Sequence, residues 1–226
     1  MTKNTRRIQR GEPALTRAAI IDASIALLDS SGESGLTFRA LAAVLATGAG
    51  ALYFHVASRE DLVNAACDAI VARAMAATMP VAAPPQRLRA IGLALFDAID
   101  AHPWVGAELA RAPGTMPTVR ILEEIGQQVQ ALDLAEEALW AATSALFSYI
   151  VGVAGQNAAN ARIGRERGLD RSTFLDALAT QWSQLDANAF PFARSVATQL
   201  RGHDDRADFV TGIDLILDGI ATRCAR

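Results

Sequence analysis

The side chains able to carry out a reaction are few and scattered along the chain. Two cysteines, Cys67 and Cys224, have neither metal-ligand spacing nor a CxxC partner, and they read as inert thiols of a reducing compartment. Ser144, Ser148 and His203 would make a nucleophile-and-base set, but nothing places them together. There is no phosphate loop, nucleophile elbow, HExxH or paired-carboxylate arrangement. No cluster of histidines and carboxylates demands a metal, and no cofactor is expected. What remains is electrostatic. Residues 1–60 hold seven Lys or Arg against five acids, a net charge of +2, whereas the rest of the chain carries −5 of the total −3. A mildly basic head on an acidic body suits nucleic-acid contact at one end. Lys3, Arg6, Arg7 and Arg10 form a basic arm fit for phosphates or a minor groove.

The elements that must position these charges read as helices throughout. The chain has 226 residues, half of them apolar, with alanine abundant and aromatics scarce. Tracts such as "AAIIDASIALL" and "LWAATSALFSYIVGVAG" suit helix, because alanine carries the lowest helix cost. No run of alternating β-branched and aromatic residues between tight turns is present, so the fold class is all-α. Residues 1–15 read as a loose basic arm. A helix begins at Thr16 and stops at "SSGESG", Ser30 to Gly35. Thr37 N-caps a second, short helix ending near Ala46, with Leu36 stapled onto Leu41. "ASRED" opens a longer helix, with Ser58 and Asp61 as a capping pair, running until "PVAAPP". Pro80, Pro84 and Pro85 mark a linker. Beyond it, helices are predicted near 86–101, 104–111, 116–132, 134–162, 171–184, 191–201 and 205–223.

Residues 37–56, "TFRALAAVLATGAGALYFHV", have the form of a helix-turn-helix. The first helix buries Leu41, Ala42 and Leu45, and the small Ala42 lets the two helices cross closely. The second buries Leu52 and turns its other face outward, toward a major groove in such motifs. Its leading end holds Thr47, Gly48, Ala49, Gly50 and Ala51, with almost no side chain to read bases. Bare glycines let the backbone approach the groove, and alanine methyls can touch thymine methyls. Two glycines cost a short helix about 1 kcal/mol each against alanine.

The arrangement resembles the DNA-binding domain of the tetracycline-repressor (TetR) family. The likeness rests on Gly32 or Gly35, Leu36-Thr37, Arg39, Leu41-Ala42, Leu52-Tyr53, His55-Val56 and Ser58-Arg59-Glu60. It extends more loosely to "HPWVGAELARAPGTMPTVRILEEIGQQVQALDL" and "DFVTGIDLILDGIATR" in the tail. It implies that Thr37, Tyr53, His55 and Arg59 contact phosphates, and that Arg39 reaches a guanine edge. Two departures stand out. Ala46 occupies a position usually glycine, where a left-handed turn costs alanine roughly 1 kcal/mol. Gly48, Ala49, Gly50 and Ala51 replace the polar residues that relatives place there.

The resemblance divides the chain into the arm 1–15, a three-helix DNA-binding domain 16–62, and a helical ligand-binding and dimerisation domain 63–226. It implies a homodimer formed through the helices near 134–162 and 205–223. The first offers Gly152, Gly155, Ala158 and Ala159 for close approach, and the second an apolar face of Phe209, Ile213, Ile216, Leu217 and Ile220. Plain intrachain core is the other reading of both. An effector pocket is expected among the large side chains Met75, Leu95, His102, Trp104, Met116, Trp140, Phe147 and Trp182, fitting a small, largely apolar molecule. Each of them also suits core, and His102 before Pro103 also suits a helix cap. No apolar run reaches the roughly 18 residues of a membrane span without interruption, and no signal peptide is seen, so a soluble cytoplasmic protein without a membrane partner is expected. The leading function is a repressor of a palindromic operator, released by its effector. An activator, a ligand carrier with a decayed DNA head, and an enzyme remain as alternatives.

Overall fold

The computed structural model describes residues 15–78, 83–111, 113–166, 168 and 170–224. Every regular element among them is helical. The chain divides into two compact units, Met1–Ala66 and Cys67–Arg226, the division falling within the fourth helix. Arg6, Arg7 and the rest of the basic arm lie outside the described residues, as does Pro80.

The first unit holds α1 (Arg17–Gly35), α2 (Phe38–Val44), α3 (Ala49–Leu52) and the first turns of α4 (Arg59–Ala77). Its starts follow from short polar side chains. The hydroxyls of Thr16, Thr37 and Ser58 accept from the backbone N–H groups of Ala19, Ala40 and Asp61 at 3.1, 3.1 and 3.0 Å, satisfying donors that no helix can satisfy itself. The break expected at Ser30 to Gly35 is a kink at Gly32, whose φ of 65° suits a residue without a Cβ. Ile20, Leu28, Leu36, Leu41, Leu52 and Leu62 are fully buried and make the small core. The turn of the helix-turn-helix closes with the Thr47 N–H donating to the Ala42 carbonyl at 2.9 Å. Ala46 takes the left-handed conformation expected there, with φ at 50°, so the turn keeps its shape despite its alanine.

The second unit gathers α5 (Pro84–Ala101), α6 (Pro103–Arg111), α7 (Met116–Gln130) and α11 (Asp205–Cys224) around the long α8 (Glu136–Glu166). Pro84 and Pro85, read from sequence as linker, instead open α5, where the missing N–H is harmless. Leu95, Ile99, Ile121, Ile125, Leu146, Phe209 and Ile213 fill the core. α6 crosses α8 at Gly106 and Gly155, so tightly that a Cβ on Gly106 would lie 2.9 Å from the Gly155 Cα. α9 (Arg171–Ser183) and α10 (Pro191–Val196) follow α8 in the chain. The helix expected over 191–201 is split, α10 being followed by a separate 3₁₀ turn at Gln199–Gly202.

One expectation needs correcting. By length and composition α8 does qualify as a possible membrane span, with a mean hydropathy of 1.5 over its most apolar window. Its run from Ala138 to Ala161 is free of charge, and α5, α6, α7 and α11 pack against this helix and bury part of that run.

Candidate nucleic-acid interface and effector cleft

Leu41 and Leu52 fix the inward faces of α2 and α3, which leaves Arg39, Gly48, Ala49, Gly50 and Tyr53 exposed. Thr47 and His55 are half-buried. Thr37 stands at the N-terminus of α2 with its hydroxyl already accepting the Ala40 N–H. Tyr53 lies with its ring flat on Phe38, centroids 4.4 Å apart and planes 9° from parallel. This stack holds the ring in place and leaves Tyr53 60% exposed. Tyr53 and His55 thus follow α3 directly, while Thr37 and Arg39 stand at the start of α2, which packs against it.

Arg59 stands apart from that set. Its Nε donates to the Leu36 carbonyl at 3.0 Å and its Nη2 to the Glu33 carbonyl, with the Glu33 carboxylate 3.8 Å away. Its guanidinium therefore caps carbonyls at the C-terminal end of α1, a structural role the sequence did not reveal. Phe54, not among the residues expected at the interface, is 90% exposed two residues beyond α3. The signal was there: Leu52 points inward, and the following two aromatics cannot share its face.

In the second unit an open cleft of about 600 Å³ runs between α4 and α5. Ile70, Ala74, Leu93, Ala94 and Ala98 give it apolar walls, and Arg73, Thr78, Asp97 and His102 supply its polar groups. Of the eight expected pocket residues only His102 lines this cleft. Trp140, 68% exposed, lines a second cleft of about 450 Å³ between α7 and α8. Met75 and Leu95 are buried core, Met116 is exposed, and Trp104, Phe147 and Trp182 are half-buried. The expected residues are bulky and fill space, whereas the α4–α5 cleft is lined largely by alanines, which leave space empty.

The residues around the cleft are braced by ions. Arg120 of α7 holds both oxygens of Asp68 on α4 at 2.9 and 3.0 Å. This carboxylate raises the Arg120 guanidinium above its already high range. Arg87 of α5 donates to the Thr78 carbonyl at 2.6 Å and pairs with Glu124 at 3.2 Å. Cys67 is buried, and the cost of placing a thiolate there, with Glu108 and Asp68 nearby, pushes its thiol up to about 12. It stays a neutral, inert thiol. Among the described residues no group of His, Cys, Asp and Glu is placed to hold a metal ion.

The two helices expected to pair with a second copy have used part of their apolar surface internally. Phe209, Ile213, Leu217 and Ile220 are buried within the chain, as is Ala158, and Gly155 meets Gly106. Still outward are Ser148, Gly152 and Ala159 on α8, and Leu215 and Gly219 on α11, with Leu215 69% exposed.

Comparison with known proteins agrees with this architecture. Residues 84–224 match the Tetracyclin repressor-like, C-terminal domain. A solved transcriptional regulator from Streptomyces coelicolor, SCO7222, described as a TetR, is 47% identical and superposes with a TM-score of 0.83, covering 92% of this chain and 98% of its own. The HTH-type transcriptional repressor DrrR1 of Streptomyces coeruleorubidus is 25% identical over 98% of this chain and 83% of its own length. An HTH-type transcriptional regulator of Saccharopolyspora erythraea is 29% identical over 63% of this chain, which spans only 61% of that protein's length. With the matched domain covering most of its length and a helix-turn-helix at its front, the chain belongs to the tetracycline-repressor-like (TetR) family.

Proposed function

We propose that this protein is a homodimeric transcriptional repressor that binds a palindromic operator and is released by a small, largely apolar effector. The observation that carries this reading is a helix-turn-helix with Arg39 and Tyr53 held outward over buried Leu41 and Leu52, in a chain whose body is that of a ligand-responsive regulator family. Thr37, His55 and the Tyr53 hydroxyl serve phosphates, and Arg39 serves a base edge. Arg59 acts indirectly, by fixing the end of α1 and the start of α4. The basic arm adds non-specific phosphate affinity.

The second copy docks on the outward remainder of α8 and α11, around Gly152, Leu215 and Gly219. The effector occupies the α4–α5 cleft, whose volume and mostly apolar walls fit a small organic molecule. α4 runs from Arg59 to Ala77, so a molecule seated against Ile70 and Ala74 acts on the helix that also follows the recognition segment. Release requires that the effector favour the conformation unfit for DNA, since only differential affinity can shift the balance.

The test is selection from random duplex DNA by the purified protein at about 150 mM salt, where non-specific binding is weakened. Recovery of one palindrome supports the reading, and its half-site spacing reports the dimer. Enrichment of no sequence favours a ligand carrier whose DNA head no longer reads, consistent with the bare α3.

A further inference from the structure

Residues 44–54, which run from the end of α2 through the turn and α3, contain no charged residue. Their outward surface is apolar almost throughout. Val44 is 58% exposed and Phe54 90%, while Ala46, Gly48, Ala49 and Gly50 are exposed too. The only hydroxyls in the stretch are those of half-buried Thr47 and of Tyr53. The fold does not account for this. Nothing lies within 4 Å of a Cβ built on Gly48 or Gly50, so packing within the chain does not require glycine at either. Phe54 is left uncovered although a phenylalanine gains most of its stability from burial. An apolar patch left bare in this way marks an interaction surface, and this one is continuous with the DNA-reading segment described above.

A major groove offers few apolar partners. Its base edges present hydrogen-bond donors and acceptors, with one exception, the C5-methyl group of thymine. A reading surface with only two side-chain hydroxyls makes little use of the former and is well matched to the latter. We propose that this protein recognises its operator chiefly through thymine methyl groups, contacted by Phe54, Val44 and Ala49, with Arg39 as the one long donor flanking them. The half-site is accordingly rich in thymines at the positions facing α3, with a guanine where Arg39 reaches. A·T is told from T·A by which strand carries the methyl. The inference rests on the operator-binding reading.

The test uses the full chain and the operator recovered by selection. Every half-site thymine is replaced by deoxyuridine, which removes the methyl and keeps all hydrogen-bonding groups. Affinity is expected to fall about fourfold for each contacted methyl, and so more than about tenfold for the fully substituted operator. Binding to random duplex should not change. F54A should weaken binding to the thymine operator and bring the ratio of thymine to deoxyuridine affinity toward one. Its thermal midpoint should match the parent, because Phe54 is solvent-exposed. Equal affinity for the two operators overturns the inference and leaves operator binding standing. An F54A protein that keeps the full thymine preference overturns the role of Phe54. Failure to enrich any sequence overturns both the inference and the reading beneath it.

Discussion

Two sets of glycines, one in each unit, occur for opposite reasons. In the second, α6 and α8 cross where a Cβ on Gly106 would sit 2.9 Å from the Gly155 Cα, so packing dictates Gly106. In the first, Gly48 and Gly50 have nothing within 4 Å of a would-be Cβ, and packing within the chain does not dictate them at all. A crossing in the body whose residue is fixed from inside thus contrasts with a reading segment whose residues are left to whatever lies outside. Some side chains show the same contrast. In the body Leu95, Phe209 and Cys67 are sealed in, while in the head Phe54 and Tyr53 face solvent.

The sharpest check on the sealed body is chemical. With its thiol pushed up to about 12 from an ordinary value of 9.0, Cys67 holds about a thousandfold less thiolate near neutral pH when folded than when unfolded. In a Cys224→Ser background, a disulfide reagent should therefore label the native protein at least that much more slowly than the urea-unfolded one. Similar rates would show that the body opens freely. Next in size is Gly106→Val, which forces α6 away from Gly155. Overpacking of this kind costs about 1–3 kcal/mol, read as a lowered midpoint in denaturant. Ala46→Gly works in the other direction. It relieves a left-handed alanine and should stabilise the first unit by about 1 kcal/mol, seen by thermal melting. Gly50→Ala is expected to be smallest, a gain of up to about 1 kcal/mol from helix propensity alone. A loss there instead would mean that the fold does require Gly50, and the contrast would collapse.

The same division explains what the sequence made legible. Helix boundaries were readable because caps and breakers are local: Thr16, Thr37, Ser58 and Gly32 act within a few residues of themselves. The left-handed turn at Ala46 was readable from its place in the motif. The use of Arg59 was not, since its carbonyl partners at Glu33 and Leu36 lie more than twenty residues away in the chain. Nor was the α4–α5 cleft, because pattern reading finds bulky side chains and the cleft is a property of small ones. The apolar face of Phe209, Ile213, Leu217 and Ile220 was visible as a face, but periodicity alone could not say whether its partner was this chain or another.

α3 has a further consequence, which concerns descent. It is four residues long, hung between the Thr47–Ala42 hydrogen bond and the Val56 N–H to Leu52 bond, with Leu52 its single buried anchor. The side chains at positions 48 to 50, all exposed, thus support neither the core nor the turn. After a gene duplication, such a segment can drift through many sequences while the protein still folds, and each sequence is a different address on the genome. Because stability and address are set by separate residues, the duplicate can acquire a new operator without passing through an unfolded intermediate.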